Sequence, residues 1–260
     1  MFETITLATD ARGVAVLTLD RVEKHNTLSG RMIAELTEAG QQLAQNDAVR
    51  VVVLAANGAS FCAGGDLEWM QAQVAGDAAS RRAAATALAM MLNTLNLLPK
   101  PLIGRVQGQA YGGGLGMMAV CDLAIGVQGA MFGLTETRLG LIPATISPYV
   151  LARIGGAAAR RHMMGSRLFD ADEAVRIGLL ARAVAPQALD VAVEAEVAPF
   201  LGCAPGAVAE AKALVRRLTP AIDADLIAET IEALVRRWEG PEAAEGIAAF
   251  FGKRKPNWAV

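Results

Sequence analysis

Two glycine-rich segments have equivalent places in the sequence, each between an apolar strand-like run and a helix-like run. Ser60–Leu67 follows the apolar run 51–55, and Gln109–Gly114 follows the run 102–106. The first N–H groups of a helix have no partner inside the helix, so two converging helix starts can bind an anion. Such donors form an oxyanion hole, which stabilises the negative charge that develops on a thioester carbonyl as an enolate forms. The alternative is that these glycines only permit tight turns.

A single carboxylate stands in the otherwise apolar segment 131–144. This residue is Glu136, and Arg138 is the nearest cation along the chain. A glutamate in apolar surroundings must be paired or placed for use, because burial disfavours its charged form. Two interpretations stay open: Glu136 is an acid/base group beside the oxyanion hole, or it forms a structural ion pair with Arg138.

Other catalytic chemistries lack the residues that they need. His25 and His162 are the only histidines, they lie far apart in the sequence, and no Cys-x-x-Cys motif occurs, so we expect no metal site. The run Gly112–Gly116 departs from the dinucleotide-binding glycine pattern, and no Walker lysine follows it. Cys62 has no nearby histidine to activate it, and we expect a small buried filler.

Composition and charge favour a globular protein without nucleic-acid or membrane partners. The 260 residues are 53% hydrophobic and carry a formal net charge of −2, which offers no general attraction for phosphates or anionic lipid. The uncharged stretch Val106–Cys121 is too short and too polar to span a bilayer. The N-terminus lacks the pattern of an export signal, and three cysteines cannot all pair, so we expect a cytoplasmic location.

Apolar periodicity predicts an α/β core in the first half of the chain. The expected strands are 3–8 and 13–19, which form a hairpin, and then 51–55, 102–106 and 123–127. The expected helices run from a Ser29 cap to about 46 and cover 80–97 and 114–120.

Beyond Pro143 the strand signal fades and alanine-rich helical patterns dominate. The expected helices are 143–154, 157–164, 171–177, 188–201, 205–217 and 223–238. Their apolar stripes could cover the sheet of the same subunit or pack on another subunit, and the composition does not decide between the two.

Five segments spread along nearly the whole chain carry a specific combination of motifs. They are Arg21–Leu28, Phe61–Leu67, Gly108–Gly114, Cys121–Asp122 and Phe132–Pro143. In these segments the sequence resembles the enoyl-CoA hydratase/isomerase, or crotonase, superfamily. Around Asp66–Met70 and Leu134–Tyr149 it is similar to the bacterial branch of methylglutaconyl-CoA hydratases.

The resemblance implies a fold, an assembly and a substrate class. The fold is a spiral of ββα units over residues 1–195, and residues 196–260 form a helical region for subunit packing and active-site cover. The implied assembly is a homotrimer or a dimer of trimers. The implied partner is an acyl-CoA thioester, with no metal and no further cofactor because coenzyme A is part of the substrate.

The resemblance also assigns roles to individual residues. The N–H groups of Gly65 and Gly113 are the implied oxyanion-hole donors, and Glu136 is the implied catalytic carboxylate. Four residues are implied to lie along coenzyme A: Lys24, Ala63, Asp66 and Leu67. Trp69 is implied to lie near the acyl pocket. From its chemistry rather than from the resemblance, Arg138 could bind a substrate carboxylate or pair with Glu136.

One departure from the family pattern affects the expected reaction. Two-glutamate hydratases have their first catalytic glutamate where this chain has Gly116. Hydration needs a base for water and an acid for Cα, so Glu136 would do both in turn, whereas double-bond isomerisation needs only one base. The similarity to the methylglutaconyl-CoA branch favours a hydratase. An isomerase and a catalytically silent acyl-CoA-binding subunit are the alternatives.

Overall fold

The computed structural model describes residues 1–260 and contains two β-sheets flanked by helices. The strands are β1 (Ile5–Thr9), β2 (Val14–Leu19), β3 (Val51–Ala56), β4 (Ser60–Cys62), β5 (Leu102–Val106), β6 (Gln109–Tyr111), β7 (Leu123–Val127), β8 (Met131–Gly133), β9 (Phe169–Asp170) and β10 (Arg182–Val184). The helices are α1 (Gly30–Gln45), α2 (Leu67–Ala75), α3 (Ala78–Asn96), α4 (Gly113–Ala119), α5 (Ser147–Gly165), α6 (Ala171–Arg176), α7 (Leu189–Leu201), α8 (Pro205–Leu218), α9 (Ala224–Glu239) and α10 (Pro241–Phe251).

The larger sheet has six strands in the order β1-β2-β3-β5-β7-β10. The first pair is the predicted antiparallel hairpin, with Ile5 opposite Leu19, and every later neighbour pairs in parallel. All six residues of β3 are buried, as expected of a strand that is covered on both faces. The predicted α/β core is therefore confirmed.

A second sheet has four very short strands in the order β4-β6-β8-β9. Strands β4, β6 and β8 are parallel to one another, so their carboxyl ends lie along one edge. Each follows a strand of the larger sheet and precedes a helix, which gives the repeated ββα unit of the expected spiral. The fold class is confirmed. Three-residue strands are too short to show an alternating pattern, which is why this sheet was missed in the sequence.

The predicted helices are present, with two differences. Helix α5 begins at Ser147 and not at 143, because Pro143 to Ile146 form a turn that ends in a hydrogen bond from Ser147 Oγ to Pro143 O. It is interrupted at Gly155, where φ is 72° and ψ is 163°. Helix α10 was not predicted at all. Among the confirmed helices, α1 begins with Ser29 Oγ accepting the Met32 N–H at 3.2 Å.

Helices α9 and α10 pack on the rest of the same chain. Helix α9 buries Ile227, Ile231, Leu234 and Trp238, and these residues join a hydrophobic cluster of 11 buried side chains that is separate from the 53-residue main core. In contrast, α8 has no buried residue. The boundary predicted between residues 195 and 196 falls inside α7, and the division into two regions stays a prediction.

No single helix has both the length and the apolar character that a bilayer crossing requires. The segments Pro186–Leu201 and Pro205–Leu218 meet at an angle of 107°. Only when these two segments are counted together are they long and apolar enough for a crossing.

Candidate active site

A cavity of about 930 Å³ opens at the carboxyl edge of the second sheet. Its wall contains every residue to which the sequence assigned a catalytic or substrate-binding role. These residues are Lys24, Ala63, Gly65, Asp66, Leu67, Trp69, Gly113, Glu136 and Arg138. The fold thus brings together residues that are more than 100 positions apart, because β4, β6 and β8 end side by side.

The loop after β4 is held in place by the residues around Gly65. The N–H of Leu28 donates to Gly64 O at 2.8 Å, and the N–H of Asp66 donates to Leu28 O at 3.1 Å. These bonds fix the backbone on both sides of Gly65. The Gly65 N–H has no backbone partner and lies in the cavity wall, so it is free to donate to a ligand.

The loop after β6 presents a second free donor. Gly112 has a φ of 49°, in the left-handed region that favours glycine, and it turns the chain into α4. The N–H of Gly113, the first residue of this helix, has no backbone partner. A Cβ atom built on Gly64 would lie 3.9 Å from Gly113 N, so the two loops are in contact. Both free N–H groups belong to the same small region.

Glu136 lies beside these loops on a 3₁₀ turn, Glu136–Leu139, that follows β8. A Cβ atom built on Gly112 would be 3.0 Å from Glu136 Oε1, so the carboxyl group lies directly against the start of the second loop. The residue is half-buried, but its Oε2 is buried and has no hydrogen-bond partner. Burial raises the pKa of Glu136 to about 7.

The ion pair between Glu136 and Arg138 does not form. No salt bridge or side-chain hydrogen bond involves Glu136, and no positive charge lowers its pKa. Arg138 is exposed and lines the same cavity. The structural interpretation of Glu136 as an ion-pair partner is therefore wrong.

The remaining predicted contact residues have different environments. Lys24 and Leu67 are exposed, and Lys24 Nζ lies 3.4 Å from Glu68 Oε1. Asp66 is buried, and its carboxylate caps α2 and accepts from Arg21 Nη1 at 3.0 Å. Burial raises the pKa of Asp66, but hydrogen bonds from the Trp69 N–H and Arg21 outweigh it and hold this pKa below its ordinary value. The Asp66 carboxylate is thus already hydrogen-bonded to groups of the protein itself.

Gly116 is enclosed by apolar side chains. A Cβ atom built on it would lie 2.5 Å from Ile146 Cγ2, and Ile146 is only 2% exposed. Ile146 therefore fills the space that a longer side chain at position 116 would need. No carboxylate therefore occupies position 116, and Glu136 is the unpaired carboxylate beside the glycine loops.

Cys62 is the small buried filler expected from the sequence, and Asp122 is paired inside the protein. Cys62 is completely buried, and burial raises the pKa of its thiol to about 12, so it is a poor nucleophile. Asp122 Oδ2 accepts from the Leu102 N–H and from Lys212 Nζ, both at 2.7 Å. Cys62 and Asp122 therefore lie outside the cavity wall, and their contacts are with other parts of the protein.

Sequence reasoning missed two parts of the wall. One part is apolar and comes from the C-terminal helices, namely Leu234, Trp238, Phe250 and Phe251. The four-residue spacing of Leu234 and Trp238 could have revealed it. The other comprises His25 and Tyr111. These two residues are joined by hydrogen bonds from Tyr111 Oη to Gln109 Oε1, from Gln109 Nε2 to Ser60 Oγ, and between Ser60 Oγ and His25 Nδ1. No motif marks these hydrogen bonds.

The sequence and the fold match known proteins over nearly their full length. The family model described as enoyl-CoA hydratase/isomerase matches residues 9–260. The chain belongs to the enoyl-CoA hydratase/isomerase family. A relative from Alternaria alternata named enoyl-CoA hydratase AKT6-1 is 32% identical over 250 residues, which cover 95% of this chain and 81% of the relative.

Two solved structures extend this match to the fold of the family. An enoyl-CoA hydratase structure from Shewanella pealeana is 37% identical with a TM-score of 0.82, and it covers 99% of this chain and 97% of its own. One from Mycobacterium avium is 31% identical with a TM-score of 0.86 over 100% of both chains. The prediction of an enzyme of the enoyl-CoA hydratase/isomerase family is confirmed. Its assignment to the methylglutaconyl-CoA branch stays a prediction.

Proposed function

We propose that this protein is a hydro-lyase that adds water reversibly to the Cα=Cβ bond of a 2-enoyl-CoA thioester. The observation that carries the proposal is the Glu136 carboxyl group, which lies against Gly112 with one oxygen buried and unpartnered. The free N–H groups of Gly65 and Gly113 line the same cavity. An acid/base group beside two free amide donors is the combination that chemistry at the α-carbon of a thioester requires.

The reaction follows from these three groups. The amides of Gly65 and Gly113 bind the thioester oxygen. The Glu136 carboxylate takes a proton from water while the water oxygen bonds to Cβ, and the electron pair of the double bond moves toward the thioester oxygen as an enolate. The protonated Glu136 then gives its proton to Cα, and the carbonyl re-forms. One molecule of water has been added, and the carboxylate is regenerated.

The electrostatics of Glu136 suit a group that works in both directions. A pKa of about 7 leaves comparable populations of the carboxylate and the carboxylic acid near neutral pH, which is favourable for a group that first accepts and then donates a proton. Coenzyme A enters as part of the substrate, and none of these steps needs a further cofactor.

Double-bond isomerisation is a second candidate because of the packing at Gly116. Ile146 occupies the space beside that glycine, so no second carboxylate occupies that position, and the Asp66 carboxylate of the first loop is bound by Arg21. One base is sufficient to remove a proton from C2 of a 3-enoyl-CoA and to return it at C4. The isomerase would use the same enolate and the same two amides, but it would not consume water.

For the substrate, we propose a branched or carboxylated enoyl-CoA such as methylglutaconyl-CoA. Support comes from Arg138, which lies in the cavity wall two residues after Glu136 and has no partner inside the protein. A guanidinium group binds a carboxylate with two parallel hydrogen bonds. The resemblance is the basis for proposing a homotrimer or a dimer of trimers. A cytoplasmic location is proposed because the three cysteines cannot all pair.

An isotope experiment tests this function and separates it from the isomerase. The purified protein is incubated in H₂¹⁸O with crotonyl-CoA, methylglutaconyl-CoA or a 3-enoyl-CoA, and the products are analysed by mass spectrometry. A hydratase gives a 3-hydroxyacyl-CoA that carries ¹⁸O, with methylglutaconyl-CoA preferred. Conversion of the 3-enoyl to the 2-enoyl ester without ¹⁸O would support the isomerase. Absence of turnover with the whole panel would contradict both.

A further inference from the structure

The 3₁₀ turn that carries Glu136 is in direct contact with the C-terminal helices, and this contact suggests how the carboxyl group is held in place. The turn ends at Gly140, whose N–H donates to Thr137 O at 3.3 Å. The next amide, from Leu141, donates to Glu136 O at 3.1 Å. The carbonyl groups of Glu136 and Thr137 are therefore fixed by the residues at the end of the turn, and any shift at Gly140 is transmitted to Glu136.

Arg237 on α9 binds the carbonyl of Gly140 with two donors. Its Nε and Nη2 lie 3.1 Å and 2.6 Å from Gly140 O. Nη2 also donates to Glu242 Oε2 at 2.5 Å, which orients the guanidinium group from the start of α10. No other side chain of α9 or α10 donates a hydrogen bond to the segment 136–146.

The backbone of α10 lies against the same turn, with glycines at the contact points. A Cβ atom built on Gly140 would lie 2.3 Å from Glu242 O, and one built on Gly246 would lie 2.4 Å from the carbonyl carbon of Leu139. Side chains at these positions would push the helix and the turn apart. The absence of both side chains lets α10 lie against the turn, so that Glu242 at its start can orient the Arg237 guanidinium toward Gly140 O.

Helix α9 is itself firmly attached to the body of the protein. Leu234 and Trp238, which flank Arg237 on the helix, are each 7% exposed. Arg82 of α3 donates two hydrogen bonds to Glu232, at 2.5 Å and 2.8 Å. Arg237 therefore projects from a fixed support and can hold the turn in one position.

We propose that Arg237 is a positioning residue for Glu136, which it holds against the glycine loops through the carbonyl of Gly140. The C-terminal helices then belong to the proton-transfer machinery and do more than cover the cavity. This inference rests on the proposed function of Glu136 as the acid/base group. Arg237 acts through the turn and does not itself touch the reacting atoms.

The test compares Arg237→Gln with Arg236→Gln. Arg236 is the exposed neighbour on the same helix and makes no hydrogen bond or ion pair with the turn, so it controls for the loss of one charge. We expect Arg237→Gln to lower kcat on the order of 10- to 100-fold, because small displacements of a catalytic group have effects of this size. KM should change less than about twofold, since uniform substrate binding is retained. Arg237→Lys, which keeps one donor, should recover part of the loss.

A second readout requires no turnover. The pKa of Glu136 is measured by ¹³C NMR on glutamate-labelled protein, with its signal assigned by comparison with Glu136→Gln. We expect a value near 7 in the native protein and in Arg236→Gln. In Arg237→Gln the value should be lower, because a loosened turn admits water to the carboxylate. If the native protein turns over no enoyl-CoA ester, the proposed function fails while this titration still tests Arg237.

Two further variants guard against simple unfolding. Gly246→Ala should have the same effects as Arg237→Gln, because its methyl group overlaps the Leu139 backbone. Gly206→Ala, in a helix where the added methyl group meets nothing within 4 Å, should change neither kcat nor the Glu136 pKa.

In a Glu136→Gln background, Arg237→Gln should add no further loss of rate. The proposal is overturned if Arg237→Gln has the same kcat and the same Glu136 pKa as Arg236→Gln. It is also overturned if Arg237→Gln lowers kcat in the Glu136→Gln background by as much as it does in the native protein.

Discussion

At the scale of single residues, the central feature is a carboxyl group whose charged form is disfavoured. Glu136 lies in the cavity wall and is not paired with any cation, and its Oε2 has no hydrogen-bond donor. A residue selected only for stability would be paired or replaced by an apolar side chain. The combination of burial, a raised pKa and contact with Gly112 is typical of an acid/base group.

The cost of burying this charge predicts a pH-dependent stability effect. In the folded protein Glu136 has a pKa of about 7, compared with 4.5 for an exposed glutamate. Between these values the folded state binds more protons than the unfolded state, so the free energy of unfolding falls as the pH rises. The variant Glu136→Gln has no charge to bury at this position, so its free energy of unfolding lacks this pH-dependent decrease.

We therefore expect Glu136→Gln to be more stable than the native protein at pH 8, by roughly 1 to 3 kcal/mol. The difference should shrink at pH 5, where the native carboxyl group is protonated. Urea unfolding followed by circular dichroism at both pH values measures it, with the exposed Glu229→Gln as the control. Equal stabilities at pH 8, or a native protein that is more stable there, would show that Glu136 is not held in a desolvated position.

At the scale of elements, three parallel strands of the small sheet bring the functional segments together. Strand β4 leads to Gly65, β6 leads to Gly113, and β8 leads to Glu136. The strands pair in parallel, so their carboxyl ends share an edge. Each ββα unit thus delivers one part of the site, and α4 adds its unpartnered first amide.

The importance of that amide predicts a difference between two substitutions of Gly113. Gly113→Ala keeps the N–H and adds a methyl group that would lie 2.7 Å from Leu28 Cδ1. Gly113→Pro has a similar steric effect and also removes the N–H. We expect the turnover of Gly113→Pro to be on the order of 100-fold lower than that of Gly113→Ala, because one oxyanion donor is lost. Equal steady-state turnover of the two variants would exclude this amide as a donor.

Much of this arrangement was predictable from the sequence, for identifiable reasons. The larger sheet and α1 have long apolar runs and a capping serine, which are strong local signals. The glycine segments and Glu136 were detected because they interrupt those patterns. The small sheet was not detected, because its short strands pair with strands that are distant in the sequence. For the same reason the sequence could not choose between a free Glu136 and an ion pair with Arg138, since the direction of a side chain is fixed by packing.

At the scale of the whole molecule, both ends of the chain contribute to one cavity. Trp69 on α2 and Trp238 on α9 both line it, although they are separated by most of the sequence. The second hydrophobic cluster, which contains Met70, Leu141 and Trp238, joins these segments. The helical C-terminal part is thus integrated with the site. The resemblance implied such a cover, whereas the apolar stripes by themselves fit equally well against another subunit.

This shared wall predicts a fluorescence signal for ligand binding. Butyryl-CoA, which is saturated and cannot be hydrated, should change the tryptophan emission because it occupies the cavity between Trp69 and Trp238. Trp258, which is 40% exposed and outside the cavity, provides the control. We expect the change to persist in Trp258→Phe and to vanish in Trp69→Phe/Trp238→Phe. A titration in which the double variant keeps the full response would place the ligand elsewhere.

The most direct test of the account is the rate of Glu136→Gln with crotonyl-CoA at pH 8, where the native carboxyl group is ionised. Hydration is followed by the loss of the conjugated thioester absorbance. If Glu136 performs both proton transfers, kcat should fall on the order of 100- to 10,000-fold, while Glu229→Gln stays within about twofold of the native rate. A Glu136→Gln enzyme that hydrates crotonyl-CoA at nearly the native rate would contradict the account.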